Sequence, residues 1–219
     1  MLFSIFSQNQ WPISLVIFLA YLIAVMLTLS LHNFFQAFAA YRQGDMTGKA
    51  FGMLSLNPFR HVSVFGMIFL VLTGFGWSKP VPMNPMQFKQ GRKGAIKVAI
   101  SGMLGNLVIS IIFSFLYVLT TLIAAETSFA IFLISFCQFM MVINFIFFVF
   151  NLLPIYPLDM FSIISLLSSG ENKFLIFMFR WGFIILLVLL LTGLISLFIN
   201  VMISYILNPL VHLWQLILF

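Results

Sequence analysis

The stretch Asn151-Leu152-Leu153-Pro154-Ile155-Tyr156-Pro157-Leu158-Asp159-Met160 sets two prolines, an asparagine and a carboxylate inside a long apolar run. Each proline removes a backbone donor and pushes the residue before it towards extended geometry, so a helix is predicted to break here. In hydrocarbon, broken backbone survives only where other protein or a polar cavity covers the freed groups. An aspartate at that depth is costly and marks a functional site by default. The plainer alternative is a carboxylate at the membrane surface that caps the next short helix. The Pro-x-x-Pro-Leu-Asp context favours the functional reading.

The surrounding composition decides the solvent. Hydrophobic residues make up 63% of the 219 positions and charged residues 6%, far too few charges for a water-facing surface. The expected class is an all-α polytopic membrane protein, one membrane-embedded domain over residues 1–219. About four transmembrane helices and a short re-entrant or interfacial segment are predicted. The formal charge of +6 then reads as basic loops on the cytoplasmic face rather than as a nucleic-acid surface. Cys137 is the one cysteine, which excludes an internal disulfide and suits a packing residue. The first ten residues lack the basic start of a secretory signal, so the first helix is expected to stay in the mature chain.

Trp11 to about Tyr41 is predicted as the first span. It is long enough to cross about 30 Å of hydrocarbon at about 1.5 Å per residue. Residues 42–61 are polar and rich in turn formers. The apolar run 62–76 is short and basic on both flanks, so it is expected to dip in and return, or to lie in the interface. Ala95 to Ala125 and Phe129 to Leu153 are predicted spans, followed by the proline-broken segment. Trp181 to Leu207 is predicted as the last span, ended by Asn208-Pro209, with an interfacial tail. The four tryptophans fall near segment ends, where amphipathic rings settle.

The first span carries His32, Asn33 and Gln36, and His32 and Gln36 are one turn apart on one face. His32 lies about 15 Å of helix from Arg42, and Asp159 about the same from the polar run 168–173. An imidazole and a carboxylate are thus expected at one depth, measured from one face. Asn106, Asn144 and Asn151 are further polar residues within spans. Their bland role is helix–helix hydrogen bonding. The basic run Lys89–Lys97 reads as a cytoplasmic flank, with anionic-lipid binding as the alternative.

In this order the motifs resemble the compact bacterial form of the site-2 protease family of intramembrane zinc metalloproteases. NLLPIYPLDM matches that family's NLLPxxPLDG pattern at Asn151, Pro154, Pro157, Leu158 and Asp159. LNPFRHVSVFG, FGWSKPVPMNP and SGMLGN resemble further family stretches, and the likeness runs from about residue 28 to 168. The resemblance implies a zinc site built from an HExxH span and the later aspartate. It also implies roles for Asn106, Asn144, Asn151, Pro154 and Pro157 in lining the cleft or orienting substrate. This chain departs from HExxH: Asn33 stands at the general-base position, Gln36 at the second histidine and Met160 after the aspartate.

His32 and Asp159 remain as candidate zinc ligands, with Gln36 a poor amide substitute and His61 a conceivable replacement; without a third ligand, the two are expected to form a hydrogen-bonded pair rather than to hold zinc. An asparagine amide cannot take a proton from a bound water, and losing such a base costs about 10²- to 10⁴-fold. The expectation is a protein without intact catalytic residues, more readily free of zinc than loaded. It would rest in the bilayer of the cell membrane and hold transmembrane segments of other proteins without cutting them. Two alternatives stand beside it. One is an active zinc endopeptidase with an altered site. The other is a structural subunit or small transporter.

Overall fold

Inside a bilayer every backbone N–H and C=O needs a partner within the chain, and long apolar stretches answer this by forming helices. The computed structural model describes residues 11–66, 78–123, 127–168 and 172–218. Among them, five helical stretches are long and apolar enough to cross a membrane: Pro12–Arg42, Gly91–Ile123, Ser128–Asn151, Lys173–Leu191 and Leu194–Leu218. The chain is an all-α, multi-pass membrane protein.

The first long helix is α1 (Trp11–Arg42). The short α2 (Thr47–Ala50) and α3 (Pro58–His61) follow in the connecting layer, α3 capped by the Asn57 side chain. Next come α4 (Gly91–Ile123) and α5 (Ser128–Asn151), the latter capped by Thr127. Helix α6 (Asp159–Leu167) is short. Helices α7 (Lys173–Leu191), α8 (Leu194–Met202) and α9 (Asn208–Leu218) complete the chain.

Helices α1, α4 and α5 pack on one another as the central bundle, and α6 rests on α4. Small residues permit the close approach. Ala20, Ala24, Ala37 and Ala40 of α1 are buried. A Cβ added to Gly105 of α4 would run into the Phe35 ring. Polar side chains fasten the same faces: Ser110 donates to Met141 O at 2.8 Å, and Asn144 donates to Thr28 Oγ1 at 2.8 Å.

The first three predicted spans agree with α1, α4 and α5 to within a few residues. The last does not. The break lies at Thr192–Gly193, where Gly193 takes a left-handed φ of 76° that other residues adopt at a cost. Helical backbone instead continues through Asn208-Pro209. A π-turn over Ile203–Leu207 precedes the proline and makes room for its ring and missing N–H. The expected interfacial tail is therefore part of a fifth membrane-length helix.

Most of the run 62–76, with Trp77, lies outside the described residues. Its start and the residues just beyond Trp77 are described, and they meet. Val62 and Ser78 form an antiparallel bridge, and Lys79 N–H donates to His61 O at 2.7 Å.

Candidate polar site between α1 and α6

The proline-broken segment positions the site. Helix α5 stops at Asn151, and Leu152–Leu158 runs as turns without helical pairing. Ile155 and Leu158 anchor it in a core shared with Phe145, Leu186 and Ile195. Gly182 of α7 admits the segment closely, since a Cβ there would lie 2.8 Å from Tyr156 Cβ. Asn151 closes the turn at both ends. Its Nδ2 donates to Phe147 O at 3.0 Å, and its Oδ1 accepts from Asp159 N–H at 3.5 Å. Pro154 and Pro157 lie in this linker, so their missing donors leave no helical bond unmade.

Asp159 is the first residue of α6. Its carboxylate does not cap that helix but turns towards α1. Gln36 Nε2 donates to Asp159 Oδ1 at 3.0 Å. His32 Nε2 lies 3.2 Å from Asp159 Oδ2. The distance is that of an ion pair, but the direction is not that of a hydrogen bond, and Oδ2 has no aligned donor among the described residues. Gly102 of α4 makes room for the imidazole: a Cβ there would sit 2.6 Å from His32 Cε1 and 3.0 Å from Gln36 Cγ. The structure thus brings together His32, Gln36 and Asp159, three residues from two elements, with Gln36 and Asp159 123 positions apart.

The other predicted positions lie elsewhere. Asn33 is buried and points its amide at the segment leading out of the 62–77 run, with Nδ2 donating to Lys79 O at 2.9 Å. Asn144 bonds Thr28, one turn from His32, and Met140 O. Asn106 is fully buried, one turn from Gly102 on the same helix. His61 is buried in the connecting layer, its Nε2 2.7 Å from Ser55 O, and it is not gathered with His32 and Asp159. Sequence reasoning placed Gly102 in SGMLGN and Ser78 and Lys79 in FGWSKPVPMNP as family-like stretches, but it did not foresee their contacts with His32 and Asn33.

A catalytic zinc takes three strong protein ligands and an open position. Here the imidazole and the carboxylate qualify. The third neighbour is an amide whose nitrogen faces the carboxylate, because a carboxylate only accepts hydrogen bonds. Among the described residues no three His, Cys, Asp or Glu side chains come together in a metal-holding group. This donor set does not fit a catalytic zinc.

Comparison with known proteins places the chain nonetheless. It is 34% identical over 187 residues to a Bacillus subtilis (strain 168) protein named "Putative zinc metalloprotease YwhC", covering 84% of each chain. The chain belongs to that metalloprotease-like family. No family model matches it, and no solved structure matches it. In this chain, then, an imidazole and a carboxylate from two helices face each other, with the Gln36 amide on the carboxylate.

Proposed function

We propose that this chain is a non-hydrolytic relative of the site-2 intramembrane proteases, which holds membrane-protein segments at the cleft between α1 and α6 without cutting them. One observation carries the reading: Gln36 Nε2 donates to Asp159 Oδ1, so the carboxylate expected to ligate metal is engaged by a neutral amide. Kinship to a protein named as a zinc metalloprotease supports the scaffold. The amide at Asn33 supports the loss of hydrolysis, since it offers no proton acceptor comparable to a carboxylate. Asn151, Pro154 and Pro157 act in this reading as the support of the broken segment beside the cleft.

The 3.2 Å approach of His32 Nε2 to an undonated Asp159 Oδ2 favours a second reading, an active zinc endopeptidase with an altered site. Metal analysis of the detergent-purified protein separates the two, combined with a cleavage assay on a model transmembrane substrate. The non-hydrolytic reading expects no stoichiometric zinc and no cleavage. Zinc at about one ion per chain that disappears in Asp159→Ala would overturn it.

A further inference from the structure

We propose that Asn33 is a peptide-binding residue, whose side-chain amide docks the extended segment Ser78–Lys79 on α1 beside the His32–Asp159 pair. The ligand class is extended peptide backbone, and the resident ligand is the chain's own. This deepens the proposed function by naming what the cleft recognises. Its test reads the docking of the segment, not metal or hydrolysis, so either reading can fail alone.

The contacts that carry it come from both sides of the segment. Asn33 Nδ2 donates to Lys79 O at 2.9 Å, and Ser78 Oγ donates to Asn33 Oδ1 at 3.5 Å. On the other edge, Lys79 N–H donates to His61 O at 2.7 Å, and Ser78 bridges Val62. The backbone of Lys79 is therefore held at its donor by the connecting layer and at its acceptor by α1.

Register supports the same docking. Two residues beyond Lys79, Val81 is buried in one cluster with Met53 and Ala37, and Ala37 is one turn beyond Asn33 on the same face of α1. Two extended residues advance about 6.6 Å and four helical residues about 6.0 Å, so strand and helix stay in step over this interval. Gly48 leaves space for the continuation, its added Cβ falling 3.6 Å from Pro82 O and 3.6 Å from Ala37 Cβ.

Residue type decides the rest. An ionised carboxylate at this position has acceptors only, and would face the Lys79 carbonyl oxygen with like charge. An amide donates to that carbonyl and still accepts from the Ser78 hydroxyl. The departure from the family's glutamate is, in this light, a gained contact as well as a lost base.

The test uses the full-length protein in detergent with a thiol reporter at Val81→Cys, where Cys137 is buried and acts as an internal control. Maleimide labelling of the reporter is compared with Asn33 intact, in Asn33→Asp and in Asn33→Leu. Losing one buried hydrogen bond predicts labelling faster by about 5- to 150-fold in both variants, with Cys137 still unlabelled. Rates within about twofold of the parent would overturn the proposal. Hydrogen exchange of the Asn33 side-chain amide in the unsubstituted protein keeps the proposal testable should a variant unfold. Slow exchange is expected because Nδ2 donates to Lys79 O, and exchange at the rate of a free side-chain amide would overturn the docking.

Discussion

An imidazole placed at position 36 gives the sharpest test of the donor set. In Gln36→His the new ring places its Nε2 the same number of bonds from Cα as the Gln36 nitrogen it replaces. That nitrogen already lies 3.0 Å from Asp159 Oδ1, and His32 Nε2 lies 3.2 Å from Asp159 Oδ2. Two ligand atoms on one tetrahedral zinc, each about 2.05 Å from the ion, stand about 3.3 Å apart. The two nitrogen–oxygen spacings found here, each to a different oxygen of the one carboxylate, are within a few tenths of an ångström of that value. The glycine at 102 leaves the ring its room on the α4 side. The single substitution is therefore expected to complete a ligand set of His32, the new imidazole and Asp159 without rebuilding the backbone. The assay is zinc content after dialysis against a weak chelator, with thermal unfolding measured with and without zinc. About one zinc per chain is expected in Gln36→His, much less in the parent, and loss of the gain when Asp159→Ala is added. Zinc should also raise the unfolding temperature of the variant alone, because a ligand that binds only the folded state stabilises it. A variant that folds as the parent does yet retains no more zinc would refute the claim that Gln36 is what separates this site from a metal centre.

Gly102→Ala is expected to displace His32, since the new methyl would meet Cε1 at 2.6 Å and Nε2 at 2.8 Å. Overpacking of this kind costs about 1–3 kcal/mol, read as a lower unfolding temperature, and an unchanged temperature would contradict the packing described. Asp45 links the α1–α2 turn to the segment after Lys79, with Thr47 N–H donating to Oδ1 and Asn84 N–H to Oδ2, each at 2.8 Å. Burial pushes its pKa up, but the hydrogen bonds from the Thr47 side chain and from the Asn84 and Thr47 backbones outweigh that and leave it below the ordinary carboxylate value. A depressed folded-state pKa stabilises fully above the unfolded value, and the contribution is lost as pH falls through the folded one. Exchange of the Thr47 and Asn84 amides should therefore quicken below about pH 4, relative to the intrinsic rate. Asp45→Asn should lose that pH dependence, and an unaltered profile in this variant would remove Asp45 from the linkage.

Much of the architecture was legible because span formation is a local property. Apolar length alone predicted α1, α4 and α5, and the paired prolines predicted where α5 ends. The same local logic misplaced the final break. Asn208-Pro209 is a strong stop signal, but a π-turn just before it absorbs the proline, and the chain turns at Gly193 instead. The site was legible as residue types at matching depth, not as contacts. His32 and Gln36 share a face by helical spacing, yet nothing along the chain says which way the Gln36 amide turns.

The sequence by itself determined that this chain must live in a bilayer, and that a histidine, two amides and an aspartate would be carried into it. Burial of apolar length and the breaking of helices at proline depend on neighbours along the chain. The tertiary structure alone decided the partners: Gln36 to Asp159 across 123 positions, and Asn33 to Lys79 across 46. The physical reason is that a hydrogen bond depends on direction and on a separation of about 3 Å, and packing sets both.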